Sequence, residues 1–263
     1  MSTTTIHSIA AQALRNAGLL GQCLEPVGIG KSRANLLRGN DVVLKLVAPN
    51  EPIDRAELVA EKRALVWLAG RIRVPAVVWS GEIDGWAVLV TERLHGKHVF
   101  DLPANDREAC LCEIVHAIAH LHRLPANECP LDQSVERKIA WARARVEEGT
   151  VDETDFDDRH HGLRAETLFE KMLSARPRTE SAVVTHGDAC LPNFLQLANG
   201  DMALLDLGRM GVSDPYQDFA LFLRSTAYNF DNLDARQLLM REYPLTSLDE
   251  ERLSFFRTLD EFF

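Results

Sequence analysis

Three oxygen-bearing side chains in the second half of this sequence stand at spacings that suit phosphoryl transfer. The segment "HGDACLPN" carries a carboxylate, Asp188, and a carboxamide, Asn193, five residues apart, and "LLDLGR" carries a second carboxylate, Asp206, with Gly208 behind it to relieve the backbone. Apolar runs flank Asn199-Gly200 between them, which is a strong hairpin signal. A tight antiparallel turn brings the residues before its first strand and after its second to one end of the ribbon. Phosphoryl transfer needs an acceptor for the nucleophile's proton and oxygen ligands for Mg2+, and Mg2+ takes few protein ligands beside phosphates and water. Asp188 is therefore the candidate catalytic residue, and Asn193 and Asp206 are the candidate Mg2+ ligands.

The first half offers a matching cation. Lys45 interrupts the apolar strand "VVLKLV", where a buried ammonium needs an anionic partner, and Glu61 follows sixteen residues later in a helix-forming segment. The protein-kinase catalytic loop reads HRDxxxxN followed by DFG, with a strand lysine and a helix glutamate that together hold ATP phosphates. Here "HGDACLPN" keeps the His, the Asp and the Asp-to-Asn spacing, and "DLG" replaces DFG. The earlier stretch "EPVGIGKSRANLL" looks like a P-loop but fails GxxxxGK[ST], because Glu25 stands where the first glycine should open the nest of N–H groups. Residues 28–34 are instead expected to form a nucleotide-covering turn, although Arg33 occupies the last glycine position of GxGxxG, and a plain hairpin turn is the competing reading. Ser32 on that turn, with Thr91 and Arg93 where "WAVLVTERL" leaves the first lobe, completes the nucleotide-side candidates.

The elements that must position these residues are legible in outline. Residues 24–94 read mostly as strands: a hairpin at Gly39-Asn40-Asp41, a helix in "ELVAEKRALVWLAG" ending at Gly70, and a hairpin at Asp84-Gly85, after a first helix around 6–17. From His95 the pattern is helical, with Leu111, Ile114, Val115, Ile118 and Leu121 on one stripe of "DREACLCEIVHAIAHLHRL". The expected fold is α+β and two-lobed, protein-kinase-like. Residues 1–94 make a small nucleotide-binding lobe of antiparallel sheet plus helix, and residues 95–263 a larger, mainly helical catalytic and substrate-binding lobe. The chain has 263 residues and a formal net charge of −10, which disfavours nucleic acid or anionic membrane and suits a cationic small molecule. Five cysteines without regular spacing point to reduced thiols, and no apolar run is long enough for export or membrane spanning, so a cytoplasmic location is expected.

"VVTHGDACLPNF", "DLGRMGVSDPYQDFALFLRS" and the terminal "RLSFFRTLDEFF" resemble the aminoglycoside 3'-phosphotransferases, the kanamycin and neomycin kinases, and most closely their type II group. The likeness runs over nearly the whole chain and includes "LHRLPANECPLDQ" and "VDETDFDDRHHGL". It implies an ATP- and Mg2+-dependent kinase that confers antibiotic resistance. Asp188 would orient or deprotonate the drug's 3'-hydroxyl, Asn193 and Asp206 would ligate Mg2+, and Lys45 would hold the phosphates. Asp157, Asp158, Asp260, Glu261 and the α-carboxylate of Phe263 would gather the drug's ammonium groups, with Arg209 and Arg224 on the substrate side. Asp218 would brace the catalytic loop. Type II members carry an acid directly after the arginine of the "ALxxR" helix and another a turn later, where this chain has Ser225 and Tyr228, so its drug range is an open question. Oligomeric state is equally open between monomer and weak dimer.

Rival readings have weaker support. Cys112, His116 and His120 recur along one helix face, but "HAIAH" lacks the glutamate of HExxH and Cys112 is too far along the helix to share an ion with both histidines. Cys190 has no evident base other than His186 and reads as a small buried hydrophobe. The alternative activity is a kinase of the same fold with another acceptor, the streptomycin 3''-hydroxyl or a metabolic amino or hydroxyl compound. A non-catalytic nucleotide-binding module is argued against by the intact Lys45, Glu61, Asp188, Asn193 and Asp206, and protein kinase activity by the lack of an APE segment.

Overall fold

The computed structural model describes residues 3–27 and 34–263; Ser32 and most of the expected nucleotide-covering turn lie outside the described residues. In chain order the elements are α1 (Thr3–Asn16), β1 (Glu25–Pro26), β2 (Asn35–Arg38), β3 (Val42–Val47), α2 (Pro52–Leu68), β4 (Val77–Ile83), β5 (Trp86–Glu92) and β6 (Gly96–Lys97), followed by α3 (Ala104–His122), α4 (Val135–Glu147), α5 (Ala165–Ser174) and β7 (Val183–Thr185). Then come β8 (Phe194–Leu197), β9 (Met202–Leu204), β10 (Gly211–Ser213), α6 (Tyr216–Asn229), α7 (Ala235–Glu242) and α8 (Glu250–Asp260). They form two compact units: Met1–Lys97 with Leu195–Arg209, and His98–Phe194 with Met210–Phe263.

The first unit is built on an antiparallel sheet of order β1-β2-β3-β5-β4. Strand β3 alternates: Val42, Leu44 and Leu46 are buried in a cluster with Ile9, Ala10, Ala13 and Leu14 of α1, so Val43 and Lys45 face the other side. Helix α2 buries Leu58, Glu61, Ala64, Leu65 and Leu68. It starts at Pro52, a turn earlier than its apolar spacing suggests, because proline's fixed φ and missing N–H are suited to a first helical turn. The turn between β4 and β5 has positive φ at both Asp84 and Gly85, the arrangement that matches the right-handed twist of paired strands.

The second hairpin, β8–β9, extends a small sheet of order β6-β8-β9. Its loop is Ala198–Gly200: the N–H of Gly200 donates to the Leu197 carbonyl, the N–H of Leu197 donates to the Asp201 carbonyl, and Gly200 sits at φ 90°. This is a three-residue connection closed by a left-handed glycine, one residue longer than a two-residue Asn-Gly turn. Gly96 on β6 is fixed by close approach, since a Cβ there would lie 2.4 Å from the carbonyl oxygen of Gln196. At the end of β9 the Leu204 N–H donates to the Arg73 carbonyl, and past the strand Gly208 lies against the Glu57 backbone on α2.

In the second unit the predicted stripe on α3 is buried throughout, and α6 is buried along most of its length. Strands β7 and β10 pair antiparallel immediately before the "HGD" loop, with the Thr185 hydroxyl donating to the Gly211 carbonyl at 3.0 Å. The acidic stretch opens into a single 3-10 turn, Glu153–Asp155, capped by the Asp152 carboxylate. Among the described residues no helix is long and apolar enough to cross a membrane.

Candidate active site

In the first unit, three of the expected residues meet. Lys45 Nζ lies 2.7 Å from Glu61 Oε2 and 2.8 Å from Asp206 Oδ1. The lysine and glutamate side chains are 20% and 8% exposed, whereas that of Asp206 is 56% exposed, so the cluster runs from a buried ion pair to a wet carboxylate. Burial works against the Lys45 ammonium, but the fields of Glu61 and Asp206 and their hydrogen bonds outweigh it and raise its pKa, so the lysine stays charged. Burial pushes the Glu61 carboxyl up, and Lys45 opposes that shift. Asp206 adopts φ 54°, a left-handed conformation that costs a non-glycine residue about 1–3 kcal/mol. Such strain is kept where the surrounding contacts over-determine the position.

The other candidates of this unit lie nearby or serve its frame. Thr91 pairs with Val43 in the β3–β5 register, two positions from the Lys45–Leu89 pair, so it shares the lysine's face of the sheet and is nearly buried. Arg93 donates from its guanidinium to the Gly39 carbonyl at 2.8 Å and from its backbone to Asp41, locking the β2–β3 turn. Arg209 Nε lies 3.3 Å from Glu57 Oε1 on α2.

In the second unit, Asn193 Nδ2 donates to both the backbone oxygen and Oδ2 of Asp188, each at 2.9 Å. Its nitrogen is thus committed to Asp188, which turns the amide oxygen the opposite way. The loop is held from behind by Asp218, fully buried, which accepts from the N–H groups of His186 at 2.7 Å and Gly187 at 2.9 Å. Burial would raise the Asp218 carboxyl, but the His122 hydrogen bond, the fields of His122 and His186 and the backbone donor at His186 hold it below the usual range. Gly187 takes φ 83°, which sets the turn into Asp188.

The expected substrate-side residues form two subsets. Arg224 Nη2 lies 2.5 Å from Asp260 Oδ2. Glu261 is directed inward: Oε2 accepts the Asp157 N–H at 3.0 Å, and Oε1 lies 3.4 Å from His160 Nδ1. Its side chain is almost buried, so it ties the 157–160 loop to the chain end. Asp157 itself accepts from Arg159, whose hydrogen bonds outweigh burial and hold its carboxyl low. Asp158 is exposed, and Phe263 donates its N–H to the Asp260 carbonyl beside the fully buried Phe262. Burial, then the charges of Asp188 and Asp260, push the Cys190 thiol up, in keeping with its reading as a small hydrophobe.

Sequence reasoning missed two supports. The buried Ser225 hydroxyl accepts the Leu191 N–H at 3.0 Å, so the residue standing in place of an acid fixes the loop backbone. His122 bonds to Asp218 at 2.9 Å; "LHRLP" was legible as a motif, but nothing in its spacing points to a partner 96 residues away. On α3, His116 pairs with Glu242 and Cys112 lies 3.3 Å from Arg241, and among the described residues no three His, Cys, Asp or Glu side chains are grouped to hold a metal.

The family described as the phosphotransferase enzyme family matches over residues 24–256. An aminoglycoside 3'-phosphotransferase of Niallia circulans is 32% identical, over 86% of this chain and 85% of the relative. The chain belongs to the aminoglycoside 3'-phosphotransferase family. A crystal structure of an aminoglycoside 3'-phosphotransferase of type VIII superposes on this phosphotransferase with a TM-score of 0.85 at 32% identity, over 96% of this chain and 98% of that one. The aminoglycoside phosphotransferase APH(3'')-Id from Streptomyces rimosus, solved with ADP and streptomycin, gives 0.83 at 25% identity, over 100% and 99% of the two chains. The fold expected of this phosphotransferase, kinase-like and α+β, is the fold of these neighbours.

Proposed function

We propose that this phosphotransferase moves the γ-phosphoryl group of ATP to the 3'-hydroxyl of a cationic aminoglycoside, conferring resistance from the cytoplasm, where ATP is supplied. The observation that carries the reading is the Asn193–Asp188 pair, in which a carboxylate oxygen is held at 2.9 Å in a loop braced by a buried aspartate. A carboxylate fixed in this way is pre-organised to receive a proton. Asp188 accepts the 3'-hydroxyl proton as that oxygen bonds to phosphorus and the bond to the bridging oxygen of ADP breaks. Lys45 holds phosphate oxygens, with Glu61 keeping its ammonium in place. Mg2+ fits the donor set, because the Asn193 amide oxygen and the wet Asp206 carboxylate are the hard oxygen ligands it prefers. When bound, it supplies charge neutralisation on the phosphates. Asp157, Asp158 and Asp260 attract and orient the polycation, while Arg224 and Glu261 hold that rim in shape.

A second acceptor, the streptomycin 3''-hydroxyl, is favoured by Ser225 and Tyr228, which leave this substrate side with two fewer acids than the type II pattern. The neighbour solved with streptomycin has the same fold. ADP release measured with kanamycin, neomycin, streptomycin and no acceptor separates the two. Turnover with kanamycin or neomycin that vanishes in Asp188→Ala, with ATP binding retained, is the expected result. Silence with all three drugs, or an active Asp188→Ala, would sink the reading.

A further inference from the structure

We propose that His122 is a positioning residue for Asp188, acting through Asp218; the idea rests on the phosphotransfer role given to Asp188 above. His122 closes α3 and its side chain is 2% exposed. Its Nε2 lies 2.9 Å from Asp218 Oδ2, and its Nδ1 lies 3.1 Å from the Tyr243 hydroxyl. The ring is held between Phe219, at 5.7 Å, and Tyr243, at 5.6 Å. A buried carboxylate accepts only, so the Nε2 proton points at Asp218, while Nδ1 is hydrogen-bonded to the Tyr243 hydroxyl on the far side of the ring.

One hydrogen-bonded chain therefore links Tyr243, His122 and Asp218. Asp218 Oδ2 is shared between the His122 ring and the His186 N–H, and Oδ1 takes the Gly187 N–H. The two amides that Asp218 anchors are the two residues immediately before Asp188. Among the described residues the imidazole is the one side-chain donor on this carboxylate, and it comes from a helix separate from both the loop and α6. Remove it, and the carboxylate keeps its two amides but loses the contact that fixes its own rotamer. The loop backbone then shifts with it. A misplacement of about 1 Å at a reacting group is enough to cost on the order of 100-fold in rate. The same logic does not apply to substrate affinity, because neither His122 nor Asp218 is assigned a contact with nucleotide or acceptor.

Three variants test this. His122→Gln keeps an N–H donor near the Nε2 position. His122→Asn is also polar but too short to reach Asp218, and His122→Phe fills the aromatic slot with no donor. We expect His122→Asn and His122→Phe to lower kcat by about 30–100-fold with KM for ATP and for acceptor nearly unchanged, and His122→Gln to stay within about threefold of wild type. Amide hydrogen exchange at His186 and Gly187 should quicken in His122→Asn and not in His122→Gln. Equal kcat in the Asn and Gln variants, or a melting-temperature loss with kcat unchanged, would overturn the proposal. If His122→Phe does not fold, the Asn–Gln contrast still decides. If the wild type acts on no aminoglycoside, the exchange contrast still judges His122, while the silence counts against the acceptor alone.

Discussion

Replacing Glu61 tests the Lys45 cluster from its most buried member. At 2.7 Å the two charges attract by about 6 kcal/mol at an effective dielectric constant of about 20, but withdrawing them from water consumes most of that. What remains visible is the cost of leaving one charge behind. Removing one partner of a buried pair costs about 3–5 kcal/mol, and Asp206, still 2.8 Å from the ammonium, reduces this to about 2–3 kcal/mol in Glu61→Ala. Glu61→Gln keeps an acceptor and loses only the charge, about 1 kcal/mol. For a chain of this size the melting temperature should fall by about 5–10 °C in Glu61→Ala and about 2–4 °C in Glu61→Gln. Steady-state ADP release should show kcat/KM for ATP falling more than that for the acceptor, because the freed ammonium moves onto Asp206. The double replacement Lys45→Met, Glu61→Leu should recover stability and leave no activity, since an apolar pair needs no desolvation. A Glu61→Ala protein that melts within 1 °C of wild type, or a double variant less stable than Glu61→Ala, would refute the reasoning.

Three further outcomes follow from particular contacts. Gly96→Ala should destabilise by about 1–3 kcal/mol in denaturant titration, because the new methyl would overlap the Gln196 carbonyl oxygen, which is backbone and cannot rotate away. Cys190 should resist alkylation by iodoacetamide up to about pH 9, followed by mass spectrometry, whereas the exposed Cys23 labels readily. The sign follows from the raised thiol pKa, which keeps the reactive thiolate scarce where an ordinary thiol, near 8.5, has begun to ionise. Deleting Phe263 should raise KM for the aminoglycoside more than KM for ATP; equal effects would make the chain end structural only.

Much of this was legible because local chemistry and local geometry agree. The Asp84-Gly85 turn, the buried stripe on α3 and the Lys45–Glu61 pair each follow from short-range patterns that the packed structure had no reason to override. The five-residue spacing put Asp188 and Asn193 on one loop, and the hydrogen bond between them is what the structure adds. What sequence did not reveal depends on long-range partners: Asp206 as the second counter-ion of Lys45, His122 behind Asp218, and the inward turn of Glu261. The Asp157 N–H and His160 draw Glu261 in, and no local pattern records them. The expected contact of Ser32 lies outside the described residues.

The second carboxylate beside Lys45 is encoded 161 residues downstream of it, on a hairpin that belongs to the unit formed by the beginning of the chain. The polypeptide thus visits that unit twice, and a gene cut after codon 97 would yield two polypeptides of which neither holds the whole cluster. Cut there, the halves would have to find each other to restore it. That makes the site a natural basis for a split reporter, with antibiotic survival reporting the reunion.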